Sequence, residues 1–140
     1  MTARPSVWVS RPTFPDVIAR LEPHFHVSAE PVETKFAPAE LAARLAACDA
    51  AIVGLKERVG AAEVAGAKRL RIVANLAVGY DNPDLPALGA AGIAASNTAN
   101  VLNESVADYA WALLLGAARR MGAAERWLRA GQWQATEFTG

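Results

Sequence analysis

Apolar and polar positions along this chain follow two periods that take turns. Val7-Trp8-Val9 is a short apolar run closed by Ser10-Arg11-Pro12, the pattern of a buried strand ending in a turn. In "FPDVIARLEP", Phe14, Val17, Ile18 and Leu21 recur at helical spacing until Pro23 breaks the pattern. His24-Phe25-His26-Val27-Ser28 alternates like a second strand, and "APAELAARLAAC" from Ala37 predicts a helix with Leu41, Leu45 and Cys48 on one face. Ala50-Ala51-Ile52-Val53 predicts a third strand stopped by Gly54. "GAAEVAGAKRL" then predicts a short helix carrying Val64, Arg71 to Leu76 a fourth strand, "PDLPALGAAG" a helix stopped at Gly92, and Ile93-Ala94-Ala95 a fifth strand.

Strands separated by helices pair in parallel through right-handed crossovers, which cover both faces of the sheet. The expected class is therefore α/β, with a flavodoxin-like, doubly wound five-stranded sheet in the order 2-1-3-4-5 over residues 1–100. Ligands of such sheets sit at the carboxyl ends of the strands, beside the point where strand order reverses. That rim holds Ser10 to Thr13, Gly54 to Arg58 and Ala77 to Asp81.

One rim segment, "NLAVGYDN" from Asn75 to Asn82, ends a strand on a bare glycine. Two readings of Gly79 stay open. In one, the chain turns through positive φ and a ligand approaches the backbone closely. The N–H groups of Val78 and Gly79, with a helix opening near Pro83-Asp84, would then favour an anion such as a carboxylate. In the other, the segment is a plain strand-to-helix turn with Pro83 in the first helical turn.

Composition narrows the partners. With 14 basic and 14 acidic side chains among 140 residues, 53% of them apolar, the chain suits about one domain with a real core. Zero formal charge argues against nucleic acid or an acidic membrane as partner. Cys48, the only cysteine, cannot form an internal disulfide, and it reads as a small core residue in a reducing compartment rather than a nucleophile. Met1 to Pro5 lead straight into the first strand without an apolar leader, so a cytoplasmic location is expected.

Candidate chemistry is sparse. His24 and His26, the only histidines, have no third ligand near them in sequence, so no metal site is expected; they also lie at a strand's start, far from the rim. Arg11, beside the end of the first strand, is the better electrostatic helper for an anion. Gly89-Ala90-Ala91-Gly92 follows a helix and precedes a strand, the reverse of a phosphate-loop context, and reads as a helix C-cap. A phosphoacceptor receiver would need acidic residues where this chain has Ser10-Arg11-Pro12 and Val53-Gly54. A flavin-phosphate loop would need glycine and hydroxyl groups where it has "SRPTFP".

The last third has its own pattern. "YAWALLLGAA", Tyr109 to Ala118, is apolar on every side of a helix and too short to span a bilayer. Protein must enclose it, yet only Met121 to Gly140 follow, with Trp127, Leu128 and Trp133 at helical spacing. A second domain or another copy of the chain is the expected cover.

From Leu70 to Trp133 the sequence resembles the D-isomer-specific 2-hydroxyacid dehydrogenases, particularly their glyoxylate/hydroxypyruvate reductase-like branch. The resemblance is carried by the "VGYDN" turn after a strand, "GI" before a short strand, "NT" then "VL", "AD", "ALLL" with a following "ARR", and Arg129, Gly131 and Trp133. "VSRP" near the start and "LKERV" at Leu55 to Val59 extend it over the chain.

The resemblance implies hydride transfer from NAD(P)H to C2 of a small 2-oxo acid such as glyoxylate or hydroxypyruvate. It implies that the Val78 and Gly79 amides hold the substrate carboxylate and that the loop at Leu55 and Lys56 closes over it. Lys56 stands where many members have a small polar residue; it is either a point charge for an anion or a solvated loop lysine. Asn103 and Val106 correspond to positions that contact the nicotinamide end of NAD or NADP, and threonine is common where Val106 stands. Residues 101–140 would form a linker helix and arm opening a nucleotide-binding domain, and a homodimer or a pairing with a full-length homologue is implied. The family's G-x-G-x-x-G turn and its catalytic arginine, glutamate and histidine have no counterpart in these residues. No catalytic residue is therefore assigned, and the chain is expected to be inactive alone. The alternative is a truncated, non-catalytic interaction module that dimerises with a full-length partner.

Overall fold

Five strands, β1 (Ser6–Val9), β2 (His26–Ala29), β3 (Ala50–Val53), β4 (Ile72–Asn75) and β5 (Ala94–Ser96), pair in parallel in the order β2-β1-β3-β4-β5. This is the computed structural model of the chain, and it describes residues 4–133. The strand order is the one the alternating periods predict. Between the strands run α1 (Pro15–Leu21), α2 (Pro38–Ala46), α3 (Ala61–Val64) and α4 (Leu85–Ala90). Pro15 and Pro38 open the first two at a position whose N–H has no helical partner, and Asp16 and Glu40 complement the helix dipole there.

Period-two alternation places Trp8, Ala51, Val53 and Val73 on one face of the sheet. They pack with Leu41 and Leu45 of α2, Val64 of α3, Leu88 of α4, and Leu70 and Ile93 from the connections. Fully burying a leucine such as Leu45 contributes about 1.5–3 kcal/mol. Cys48 belongs to this core, and burial pushes its thiol pKa up, away from the thiolate a nucleophile needs. The opposite face is thinner. Ile52 and Ile72 are half-buried, and α1 buries none of its residues, leaving Phe14 exposed and Ile18 and Leu21 half-covered.

At the amino ends of the strands, Asp49 Oδ2 accepts from the Ser6 amide at 2.7 Å and the Ser6 hydroxyl at 2.7 Å. Arg69 grips the same carboxylate through Nη2 at 2.7 Å and Nε at 3.1 Å. The Arg69 hydrogen bond, helped by Ser6, holds the Asp49 carboxyl well below the usual carboxylate range.

Several element bounds differ from the sequence-based expectation. His24 and Phe25 both donate their amides to Leu21 O at 3.0 Å, so a turn extends past α1 and β2 starts only at His26. The helix expected over 60–70 is a single turn, after which Ala67 and Leu70 reach the core from successive tight turns. Gly92 does cap α4, with φ +71°; the Ile93 amide reaches back to Leu88 O at 2.9 Å, so Ile93 is a core anchor and β5 begins at Ala94.

The chain divides into two compact units with the boundary between Asn100 and Val101. The second contains α5 (Asn103–Ala118) and α6 (Met121–Arg129), separated where Arg120 takes the left-handed φ of 53°. The apolar run thus sits in a helix that starts six residues before Tyr109, and Tyr109, Trp111, Leu113, Leu114 and Leu115 are all exposed on it. Among the described residues no helix is long and apolar enough to cross a membrane.

Candidate functional site

β4 ends at Asn75, four residues before Gly79, and the peptides in between set what this segment presents. Ala77 O accepts from the Thr98 amide at 3.0 Å, and Val78 O accepts from Asn97 Nδ2 at 2.7 Å. The C=O and N–H of a trans peptide point in opposite directions, and no peptide here is cis. Both carbonyls being fastened toward Asn97 and Thr98, the N–H groups of Val78 and Gly79 point together away from that segment. Neither N–H has a hydrogen-bond acceptor among the described residues. Two parallel donors without acceptors, just beyond the end of a parallel strand, make an amide seat of the kind that suits an anion.

Beneath this seat lies a buried polar network. Asn75 Nδ2 donates to Gly79 O at 2.8 Å and to Asn82 Oδ1 at 3.1 Å. Asn82 Nδ2 donates to Gly54 O at 3.0 Å and to Glu57 O at 3.1 Å. Glu57, only 5% exposed, folds back so that Oε2 accepts from the Gly54 amide at 2.7 Å and the Ser10 hydroxyl at 2.8 Å. Among the described residues no buried side-chain nitrogen or oxygen lacks a partner. The ends of β1, β3 and β4 are thereby tied together by side chains as well as by main-chain bonds from Ser10 N to Ile52 O at 2.9 Å and from Leu76 N to Val53 O at 2.7 Å.

Each residue singled out from the sequence has a definite place. Val78 and Gly79 form the amide seat. Leu55 and Lys56 are the exposed tip of a short loop whose flanks, Gly54 and Glu57, are pinned by Asn82. Lys56 Nζ pairs with Glu33 Oε2 at 3.1 Å, and Arg11 Nη2 pairs with Glu33 Oε1 at 2.9 Å, so these two cations share one carboxylate, while Arg58, the third on the rim, is exposed. Asn103 opens α5 and Val106 lies in its first turn, exposed. His24 lies in the turn before β2 and His26 is the strand's first residue, so both are at the amino end of the sheet and not at the rim.

Two expectations are corrected. Gly79 does not take a positive φ; among glycines only Gly92 and Gly131 do, within the described residues. A Cβ at Gly79 would meet only Asp81 Oδ2, at 3.9 Å, so the fold itself has no need of glycine there. Pro83 is not in the first turn of α4 either. It lies one residue before the N-cap, bridging to Val59, while Asp84 caps the helix by accepting from the Ala87 amide at 3.0 Å. A carboxylate already occupies that helix end, so it offers nothing to an anionic ligand.

Sequence reasoning passed over Asn75, Glu57, Asn82 and Asn97. Their partners lie up to 47 residues away, beyond any local pattern. One signal was readable: Asn75 follows Val73 by two residues, so it must share the buried face, and a polar residue there needs a partner.

A five-stranded parallel sheet with helices between its strands defines an α/β domain. The chain belongs to the family described as D-isomer specific 2-hydroxyacid dehydrogenase, catalytic domain, whose model matches residues 7–137. It is 40% identical over 131 residues to a glyoxylate reductase of Thermococcus kodakarensis, covering 94% of this chain and 39% of that protein. It is 39% identical over 133 residues to glyoxylate/hydroxypyruvate reductase B of Cronobacter sakazakii, covering 93% of this chain and 40% of that one. Among solved structures, the NADPH-dependent glyoxylate/hydroxypyruvate reductase of Sinorhizobium meliloti in complex with citrate superposes with a TM-score of 0.74 at 33% identity, covering 99% of this chain and 42% of that one. The chain therefore spans about two fifths of the length of the curated relatives it matches.

Proposed function

We propose that this chain supplies the substrate-binding part of an NAD(P)-dependent reductase of small 2-oxo acids, of the glyoxylate and hydroxypyruvate kind. The observation that carries the reading is the pair of Val78 and Gly79 amides, held side by side with no acceptor of their own. Such a pair binds a carboxylate without a cation, which suits a rim whose Arg11 and Lys56 are already matched by Glu33. The names of the relatives support the class of acid.

In this reading the substrate carboxylate sits on the two amides, and Leu55 and Lys56 border it from the neighbouring loop. In the second unit, Asn103 and Val106 contact the nicotinamide end of NAD or NADP. The bound dinucleotide supplies the hydride. The sequence carries no G-x-G-x-x-G turn to cradle its pyrophosphate, so these residues fit only the nicotinamide end of the cofactor. Both histidines stand at the amino end of the sheet, away from the rim.

Purified chain should accordingly show no NADH- or NADPH-dependent reduction of glyoxylate, followed by loss of the reduced-nicotinamide absorbance. Clear turnover would overturn the assignment of these residues to substrate binding alone. A second reading, a non-catalytic module that pairs with itself or with a full-length homologue, is favoured by α5, apolar and exposed along its length. Light scattering that finds a monomer at micromolar concentration, with a full-length relative present or absent, removes it.

A further inference from the structure

Asn75 and Asn82 bracket the segment that carries the amide seat, and their side chains meet beneath it. Asn82 is 9% exposed and belongs to neither a strand nor a helix. Its amide nitrogen faces Gly54 O at 3.0 Å and Glu57 O at 3.1 Å, the two carbonyls flanking Leu55 and Lys56. The same nitrogen lies 3.2 Å from Asn75 Oδ1, so its two hydrogens are shared among three oxygens, while its oxygen accepts from Asn75 Nδ2 at 3.1 Å, and Asn75 in turn holds Gly79 O at 2.8 Å. A continuous line of hydrogen bonds therefore runs from one rim loop to the other through two buried carboxamides.

We infer that Asn82 is a positioning residue: its side chain locks the Leu55–Lys56 loop to the loop bearing the Val78 and Gly79 amides, so that a small 2-oxo acid meets one rigid surface. The inference rests on the reading above, that the amide pair receives the substrate carboxylate.

The chemistry of asparagine at this position is specific. Two carbonyls face it, so it must donate, and Asn75 Nδ2 also needs an acceptor, so it must accept as well. A carboxamide does both within one side chain. Aspartate, of the same shape, has no hydrogen to give to either carbonyl, and an apolar residue would leave them buried and unpaired. The segment does not depend on this side chain for its path. Main-chain bonds from Leu76 N to Val53 O at 2.7 Å, Val59 N to Asn82 O at 3.1 Å and Asp84 N to Val59 O at 2.9 Å already lay it beside β3. What the side chain adds is the link between the two loop tips.

The test is a titration of the full, nitrogen-15-labelled chain with oxamate, an unreactive isostere of a small 2-oxo acid, read at individual amide resonances. In the native chain Val78 and Gly79 should shift, and Gly54 and Leu55 should shift with the same midpoint. In Asn82→Ala the Val78 and Gly79 response should persist with its midpoint raised roughly 5- to 10-fold, while the Gly54 and Leu55 response disappears. Asn82→Asp keeps the shape and loses both donations, so it should uncouple the loops in the same way. Native Val78 and Gly79 resonances that ignore oxamate sink the carboxylate reading itself. A native response left equally strong and equally coupled in both variants sinks the positioning role alone. Should neither variant fold, Asn82 is a stability residue and the inference is wrong.

Discussion

At the amino ends of the strands the polar groups face one another, whereas at the carboxyl ends two of them are left facing out. Ser6, Asp49 and Arg69 close a compact knot in which one carboxylate takes four hydrogen bonds. Around Glu57 and Asn82 the bonding is as complete below the surface, yet above it the bonds from Thr98 and Asn97 turn the Val78 and Gly79 amides so that they find no partner within the described residues. One end is saturated and the other is held open by a saturated base. Donors are left open at this edge because the carbonyls beside them are bonded inward, with no added charge.

The comparison breaks hardest at Glu57. Replacing it by alanine removes the acceptor of the Gly54 amide and the Ser10 hydroxyl, both buried, at about 1–3 kcal/mol for each orphaned group. Denaturant unfolding of Glu57→Ala should show a loss of roughly 2–5 kcal/mol; a change below about 1 kcal/mol would mean the rim network contributes no more than surface bonding does.

Asp49→Asn probes the opposite end and should cost less, because Arg69 is largely in water and its share is screened. Its signature lies in pH. The folded-state pKa of Asp49 is depressed, so its contribution is fully present above the unfolded carboxyl value of about 3.9 and fades as pH falls below it. Melting temperatures of the native chain and Asp49→Asn should differ by a few degrees at neutral pH and converge below pH ~4. A constant gap down to strong acid would assign the effect to packing.

Gly79→Val should be the quietest of the three in stability and the loudest in binding. A Cβ there meets nothing closer than 3.9 Å and the backbone is not in the left-handed region, so unfolding should change by no more than about 0.5 kcal/mol. The branched side chain would nonetheless stand over the amide seat, and the oxamate response of Val78 should vanish. Retained binding with a native melting temperature would return this segment to a plain connection.

How much of this was legible beforehand divides along the same line. Strand order and the core came through because Trp8, Val53, Val73, Leu41 and Leu45 announce their faces by period alone. The cap at Gly92 came through because a glycine between a helix and a strand has one common use. The Val78 and Gly79 amides do lie on the carboxyl rim, but the expected positive φ at Gly79 is absent, and what turns the amides is the Thr98 amide together with Asn97, 19 residues from Val78. Local rules report what a residue permits. They are silent on which distant carboxamide will fold under it.

The exposed second unit has an optical consequence. Of the four tryptophans, Trp8 is sealed in the core at 3% exposure, while Trp111 and Trp133 stand 63% and 56% exposed and Trp127 is half-buried. Three of the chain's strongest natural fluorophores are therefore mounted outside its core, in surroundings whose polarity changes as soon as anything covers α5 or α6. Their emission in water lies toward the red and is open to quenchers, with Trp8 as a shielded internal reference. The molecule carries its own dye at the surface whose cover is in question, and a shift toward the blue would report the arrival of that cover without any label being attached.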